Sequence, residues 1–191
     1  MMSRYLRPAI SLLLLMTVLC GLAYPLAITG IAGLVFPVQA QGSLVVSGGK
    51  PIGSRLIGQP FSEPKYFWGR PSATTPQPYD ATASTGSNLG PLNPALIDRI
   101  KDGAGKLRLA DPGNDRPIPV DLVTSSASGL DPDISLAAAL YQASRVARAR
   151  GLPIGDVQQL VRAHGRGPAL GFLGEPRVNV LELNLALDGR H

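Results

Sequence analysis

Cysteine is almost missing from this chain: 191 residues contain one, Cys20. That excludes an internal disulfide framework and any cysteine-based metal site. Histidine is nearly as scarce. His164 and His191 are the only two, and neither is spaced with carboxylates as a ligand set, so no metal is expected. Charge is missing from one long stretch, since no Asp, Glu, Lys, Arg or His occurs between Arg7 and Lys50. A basic cluster is missing too. The formal net charge is +5. Beyond Arg4 and Arg7, however, the basic residues are spread out apart from Arg145, Arg148 and Arg150. This argues against a nucleic-acid partner.

What the charge-free stretch does contain is apolar side chains. Ile10, the Leu12–Leu15 run, Met16, Val18, Leu19, Leu22, Leu26, Ile28 and Ile31 form a run long enough for a bilayer, which needs about 20 apolar residues in a helix. Pro25, Gly21, Gly30 and Gly33 interrupt it, as membrane helices tolerate when they pack on other helices. A cleaved signal peptide is the competing reading, with Arg4 and Arg7 as its basic end and Val38-Gln39-Ala40 as its cleavage site. Signal cores are about 7–15 residues, far shorter than this run, so an uncleaved anchor is favoured. The chain therefore divides into a basic head (1–7), a transmembrane helix (8–38) and one extramembrane domain (39–191). The short head favours head inside and domain outside, that is, a single-pass inner-membrane protein with its domain on the periplasmic or extracellular side.

The extramembrane domain reads as small, loop-rich and α+β. Glycine (22) and proline (18) exceed a fifth of the chain, which predicts many turns. Gly42–Val46 is expected as a strand, Ser47-Gly48-Gly49 as a turn and Gly53–Gly58 as the return strand. Ser47-Gly48-Gly49-Lys50 lacks the spacing of a phosphate loop, and a proline follows the lysine. Tyr66-Phe67-Trp68 is the densest aromatic cluster; its Trp68 suits either a core or an interface anchor. Residues 69–94 carry five prolines and no apolar period, and form a long loop. Asn93 and Pro94 start a helix that Gly103 and Gly105 end. Val120–Thr124 is expected as a strand. Ile134–Arg150 is the strongest soluble helix, capped by Asp131 or Asp133 and ended by Gly151. Gly155–His164 follows as a helix. Val178–Leu187 alternates like a strand, yet Asn179 and Glu182 form a capping box, which favours helix.

No catalytic constellation emerges. Ser125, Ser126, Ser128, Asp131 and His164 offer the residue types of a hydrolase but no glycine-framed nucleophile elbow. Asp131 and Asp133 read as caps before they read as a cation site. Gln142 and Arg145 read as ligand-binding, partner-facing or solvated positions in mid-helix.

Several strings occur together in one order: Gly53-Ser54-Arg55-Leu56-Ile57-Gly58-Gln59, Tyr66 to Ala73, Ser87-Asn88-Leu89-Gly90-Pro91, Asp121-Leu122-Val123-Thr124, Ser128-Gly129-Leu130-Asp131-Pro132, and Gly171 to Val180. In these the chain resembles the C subunit of the Kdp potassium-transporting ATPase of bacteria and archaea. One departure is Asp133, where that family's Asp-Pro-His-Ile-Ser pattern has histidine. The resemblance implies a non-enzymatic accessory subunit with no cofactor of its own. Its implied partners are a channel-like potassium-binding subunit, a P-type ATPase subunit and a small stabilising peptide. It further implies a catalytic chaperone that raises the ATPase subunit's affinity for ATP in a transient complex. By the same resemblance, Gln142, with Ser128 and Gly129, is the candidate nucleotide contact. Trp68, Asn88, Glu175 and Arg177 are candidate partner contacts. ATP is cytosolic, so an external domain conflicts with direct contact at Gln142. The reading from another class is a free-standing, membrane-anchored periplasmic binding or hydrolytic protein.

Overall fold

The computed structural model describes residues 3–189; Met1 and Met2 of the basic head and His191 lie outside it. The chain divides near Leu44 into two compact units.

The first unit is helical. α1 (Ser3–Val18) passes through one π turn, Leu19–Ala23, into α2 (Tyr24–Val35). The basic head is therefore not separate: Arg4 and Arg7 sit on the first two turns of α1. Pro25 lacks an N–H and its ring crowds the preceding turn, so the helix widens just before it. The Tyr24 N–H accordingly reaches Leu19 O, five residues back. Arg4–Val35 is the one helix among the described residues long and apolar enough to cross a membrane. Phe36 breaks it, and a short helix α3 (Pro37–Ala40) follows.

The second unit opens on a hairpin of β1 (Leu44–Ser47) and β2 (Lys50–Ser54). The return strand thus starts three residues earlier than expected. Gly48 and Gly49 have φ of 57° and 78°. Such a pair makes the two-residue turn that matches strand twist, so no longer connection is needed. α4 (Pro94–Ala110) starts where expected, with the Asn93 side chain accepting from the Ala95 N–H. It does not end at Gly103 or Gly105. Gly103 faces Val123 closely, where a Cβ would stand 3.5 Å from Val123 Cγ1, and buried Leu107 anchors the helix beyond the glycines. Their cost, about 1 kcal/mol each relative to alanine, is smaller than the gain from that packing.

Val120–Leu122 is a 3₁₀ turn and not the expected strand. The Asp121 carboxylate accepts from the Ser135 N–H and Oγ, and Thr124 Oγ1 bonds back to Val120 O. These side-chain bonds, one local and two reaching Ser135, win over β pairing. The next helix, α5 (Leu136–Arg150), is capped by Ser135, whose Oγ accepts from the Ala138 N–H, rather than by Asp131 or Asp133. Ile134 belongs instead to β3 (Asp133–Ser135), and Ala137 is exposed. Gly151 ends α5 in the left-handed conformation as expected. α6 (Ile154–Ala163) buries Val157, Leu160 and Val161. β4 (Arg177–Asn179) pairs antiparallel with β3, Ile134 opposite Val178. α7 (Val180–Asp188) follows directly, because Asn179 Oδ1 accepts from the Glu182 N–H. This Asn179 cap outweighs the alternation of leucines, while the Glu182 carboxylate pairs with Arg55 and Arg166.

The core lies between α5, α6, α7 and the β3–β4 pair. Ala138, Ala139, Ala143 and Ala147 keep α5 slim, so that Val157, Val161, Leu183 and Leu187 close on it, with Phe67 fully buried among them.

Candidate functional site

Four side chains of α5 and α7 grip an irregular segment, Pro64–Trp68, in place of a strand ladder. Gln142 Oε1 accepts from the Trp68 N–H at 2.8 Å, and its Nε2 donates to Trp68 O at 3.1 Å. Asn184 does the same one residue earlier, accepting from the Phe67 N–H at 2.8 Å and donating to Phe67 O at 3.0 Å. Arg145 donates to Pro64 O and to Gln142 Oε1, and its guanidinium lies 4.0 Å from the Trp68 ring centroid. Arg150 donates to Lys65 O and pairs with Asp188. A carboxamide presents a donor and an acceptor side by side, as a peptide unit does, so it satisfies an unpaired backbone without a second strand.

Gln142 and Arg145 are therefore neither solvated nor turned to a partner: they are 1% and 2% exposed. Burial pulls the Arg145 guanidinium down to about 10, which still leaves it protonated near neutrality. Of the aromatic triplet it is Phe67 that is buried, while Trp68 is half-buried beside Arg145.

Ser128 and Gly129 belong to a second network. The loop 69–94 is pinned along residues 125–131. Ser128 O accepts from the Thr85 N–H and Ser84 Oγ, and Gly129 O from Ser72 Oγ. Arg70 Nη1 bonds Asp131 Oδ2 and its Nη2 bonds Ser125 O. The Tyr79 hydroxyl donates to Arg70 O. Burial pushes the Tyr79 phenol up to about 12, so it holds this proton throughout the neutral range. Gly129 has φ +70°, and a Cβ there would stand 2.7 Å from Thr74 Cγ2 and Thr85 O. A Cβ on Gly58 would meet Tyr79 and Asp131 O at 2.4 and 2.6 Å. The loop without an apolar period is thus ordered by hydrogen bonds and by glycines that let backbones meet.

The structure does not bring the three candidate nucleotide residues together. Gln142 bonds Trp68, Arg145 and Ala138, whereas Ser128 bonds the 84–85 segment and Leu130. Gln142 could meet a nucleotide only if the Phe67–Trp68 segment opened. Ser128 is exposed and Gly129 buried. His164 Nδ1 lies 3.0 Å from Leu160 O at the end of α6, with no hydrogen bond to a serine among the described residues.

The partner candidates fall on two concave faces. Glu175 and Arg177, both exposed, line a cleft of about 460 Å³ with Arg70, Asp131 and Asp133. Here Asp133 pairs with Arg177 Nε at 2.9 Å and accepts from Asn179 Nδ2. This is the role of the carboxylate at the position where histidine was expected. Trp68 lines a larger groove of about 870 Å³ between α4 and the Pro60–Ser72 segment. Asn88 is exposed with φ 52°, a conformation asparagine tolerates, and lines neither.

Sequence reasoning missed Asn184 and the α4 face of the large groove. Asn184 left a signal, an amide inside the apolar run of α7; Arg99 and Lys106 left none, since charges on a surface helix are ordinary.

The family model described as K+-transporting ATPase, c chain, matches residues 6–189. The potassium-transporting ATPase KdpC subunit of Variovorax paradoxus (strain S110) is 66% identical over 187 residues, 98% of this chain and 97% of the relative. The subunit of the same name from Polaromonas naphthalenivorans (strain CJ2) is 64% identical over 187 residues, 98% of this chain and 95% of the relative. That of Methylibium petroleiphilum (strain ATCC BAA-1232 / LMG 22953 / PM1) is 61% identical over 189 residues, 99% of both.

Proposed function

Because this chain belongs to the family of K+-transporting ATPase c chains, we propose that it is a membrane-anchored, non-catalytic subunit of an ATP-driven potassium uptake complex. Its partners are a channel-like potassium-binding subunit, a P-type ATPase subunit and a small stabilising peptide. The observation that carries this reading is the end-to-end similarity to subunits of that name, which includes the apolar helix as well as the domain. Among the described residues no group of three or more His, Cys, Asp or Glu is placed to hold a metal ion, and His164 bonds a backbone carbonyl. Among the described residues no hydrogen bond links His164 to the serines of the hydrolase constellation.

The anchor holds the subunit in the inner membrane, with the domain on the outer side. Gly30 and Gly33 leave open space on the helix, which suits close packing against another membrane helix. An effect on ATP affinity is indirect in this arrangement. It acts by binding one state of the pump better than another, since only differential contacts shift an equilibrium. The engagement of both ends of the Gln142 amide favours this over direct contact.

Two experiments check the reading. Affinity purification of the tagged chain from its native membrane is expected to bring down the pump subunits in fixed ratio; recovery as a lone monomer would contradict it. Photolabelling of the assembled complex by an ATP analogue is expected to mark the ATPase subunit alone. Label on this domain that disappears in Gln142→Ala would restore direct contact.

A further inference from the structure

We propose that the groove beside α4 holds an extended, acidic segment of a partner polypeptide, as a docking site within the complex proposed above. One wall is the face of α4 that carries Leu96, Arg99, Gly103, Lys106 and Ala110. Those positions recur at helical spacing, so a single stripe of α4 lines the groove from end to end. The rest of the lining is mainly apolar, with Phe61, Trp68, Pro71 and Leu122, beside Arg70 and several hydroxyl side chains. Leu109, 81% exposed, stands beside it.

The length of the stripe sets the length of the occupant. Leu96 to Ala110 spans about 21 Å at 1.5 Å per residue. About six residues of an extended peptide cover that length. The charge selects the side chains. Arg99 and Lys106 project at the groove with no ion pair among the described residues, against one carboxylate, Asp102; Arg70 is already neutralised by Asp131. Alternation along an extended segment places apolar side chains on the Trp68 wall and acidic ones toward Arg99 and Lys106.

This inference rests on membership of the complex, and its test separates the two. A photoreactive amino acid replaces Leu96 in the full chain, and the complex is purified and irradiated. Failure of the partners to co-purify would defeat the complex itself. With the complex intact, the expected product is a covalent adduct to a partner polypeptide, mapped by mass spectrometry to a non-helical stretch bearing Asp or Glu. The yield should fall at least about tenfold in Arg99→Glu/Lys106→Glu, because the reversed charges repel the segment. Both residues are exposed, so the reversal leaves the fold intact. Adducts only to lipid, to a basic or helical stretch, or to nothing would overturn the docking site, as would a yield unchanged by the charge reversal.

Discussion

Asp111 shows how one buried carboxylate ties α4 to α5. It is buried, and it accepts from Ser144 Oγ at 2.6 Å, from Asn114 Nδ2 at 3.0 Å and from Arg148. Burial pushes this carboxyl up, but those donors outweigh it and hold it below its usual range. A carboxyl lowered in the fold stabilises fully above its unfolded pKa, about 3.9, and loses that as pH falls through the folded value. Asp111→Asn should therefore cost about 1–3 kcal/mol at pH 7, with the gap to wild type closing below about pH 4; urea titrations across pH measure it. Tyr141 is the opposite case. Its hydroxyl is buried without a hydrogen-bond partner among the described residues, and burial pushes the phenol up. Removing an unsatisfied polar group loses no bond. Tyr141→Phe is expected to leave the melting temperature unchanged or raised, and a clear drop would mean a bond is being made.

At the scale of elements, two devices replace regular secondary structure. One is the carboxamide pair Gln142 and Asn184, which holds Phe67 and Trp68 by their backbones. Each alanine substitution strands a backbone donor and acceptor and should cost about 2–3 kcal/mol. Because the two sites share one segment, a double-mutant cycle should show coupling above about 0.5 kcal/mol; strict additivity would mean that they act separately. The other device is the meeting of the 72–85 loop with Ser128–Gly129. Gly129→Ala adds a clash to a left-handed backbone and should destabilise by on the order of 2–4 kcal/mol, read by thermal unfolding. Such pairings explain what the sequence showed and what it hid. Asn93, Gly151 and Asn179 cap helices through neighbours, so their roles are legible locally. Val120–Leu122 and Asp133–Ser135 are decided by partners elsewhere in the chain. Asp121 reaches Ser135, and Ile134 pairs with Val178, which no local pattern reports.

At the scale of the whole molecule, the apolar helix was plain, because a charge-free run of that length has few other uses. The candidate site was less so. Sequence pointed to Gln142 but not to its burial, since an amide in mid-helix reads alike whether it meets a ligand or a neighbouring backbone. The chain belongs to the K+-transporting ATPase c chain family, and the central proposal built on that is an anchored subunit that the pump needs. Its most direct test is deletion of this chain from cells that depend on the pump, with rubidium or potassium uptake measured at micromolar potassium and the remaining subunits purified. The account predicts that high-affinity uptake is lost and returns when the full chain is restored. Normal high-affinity uptake by an intact complex lacking this chain would contradict it.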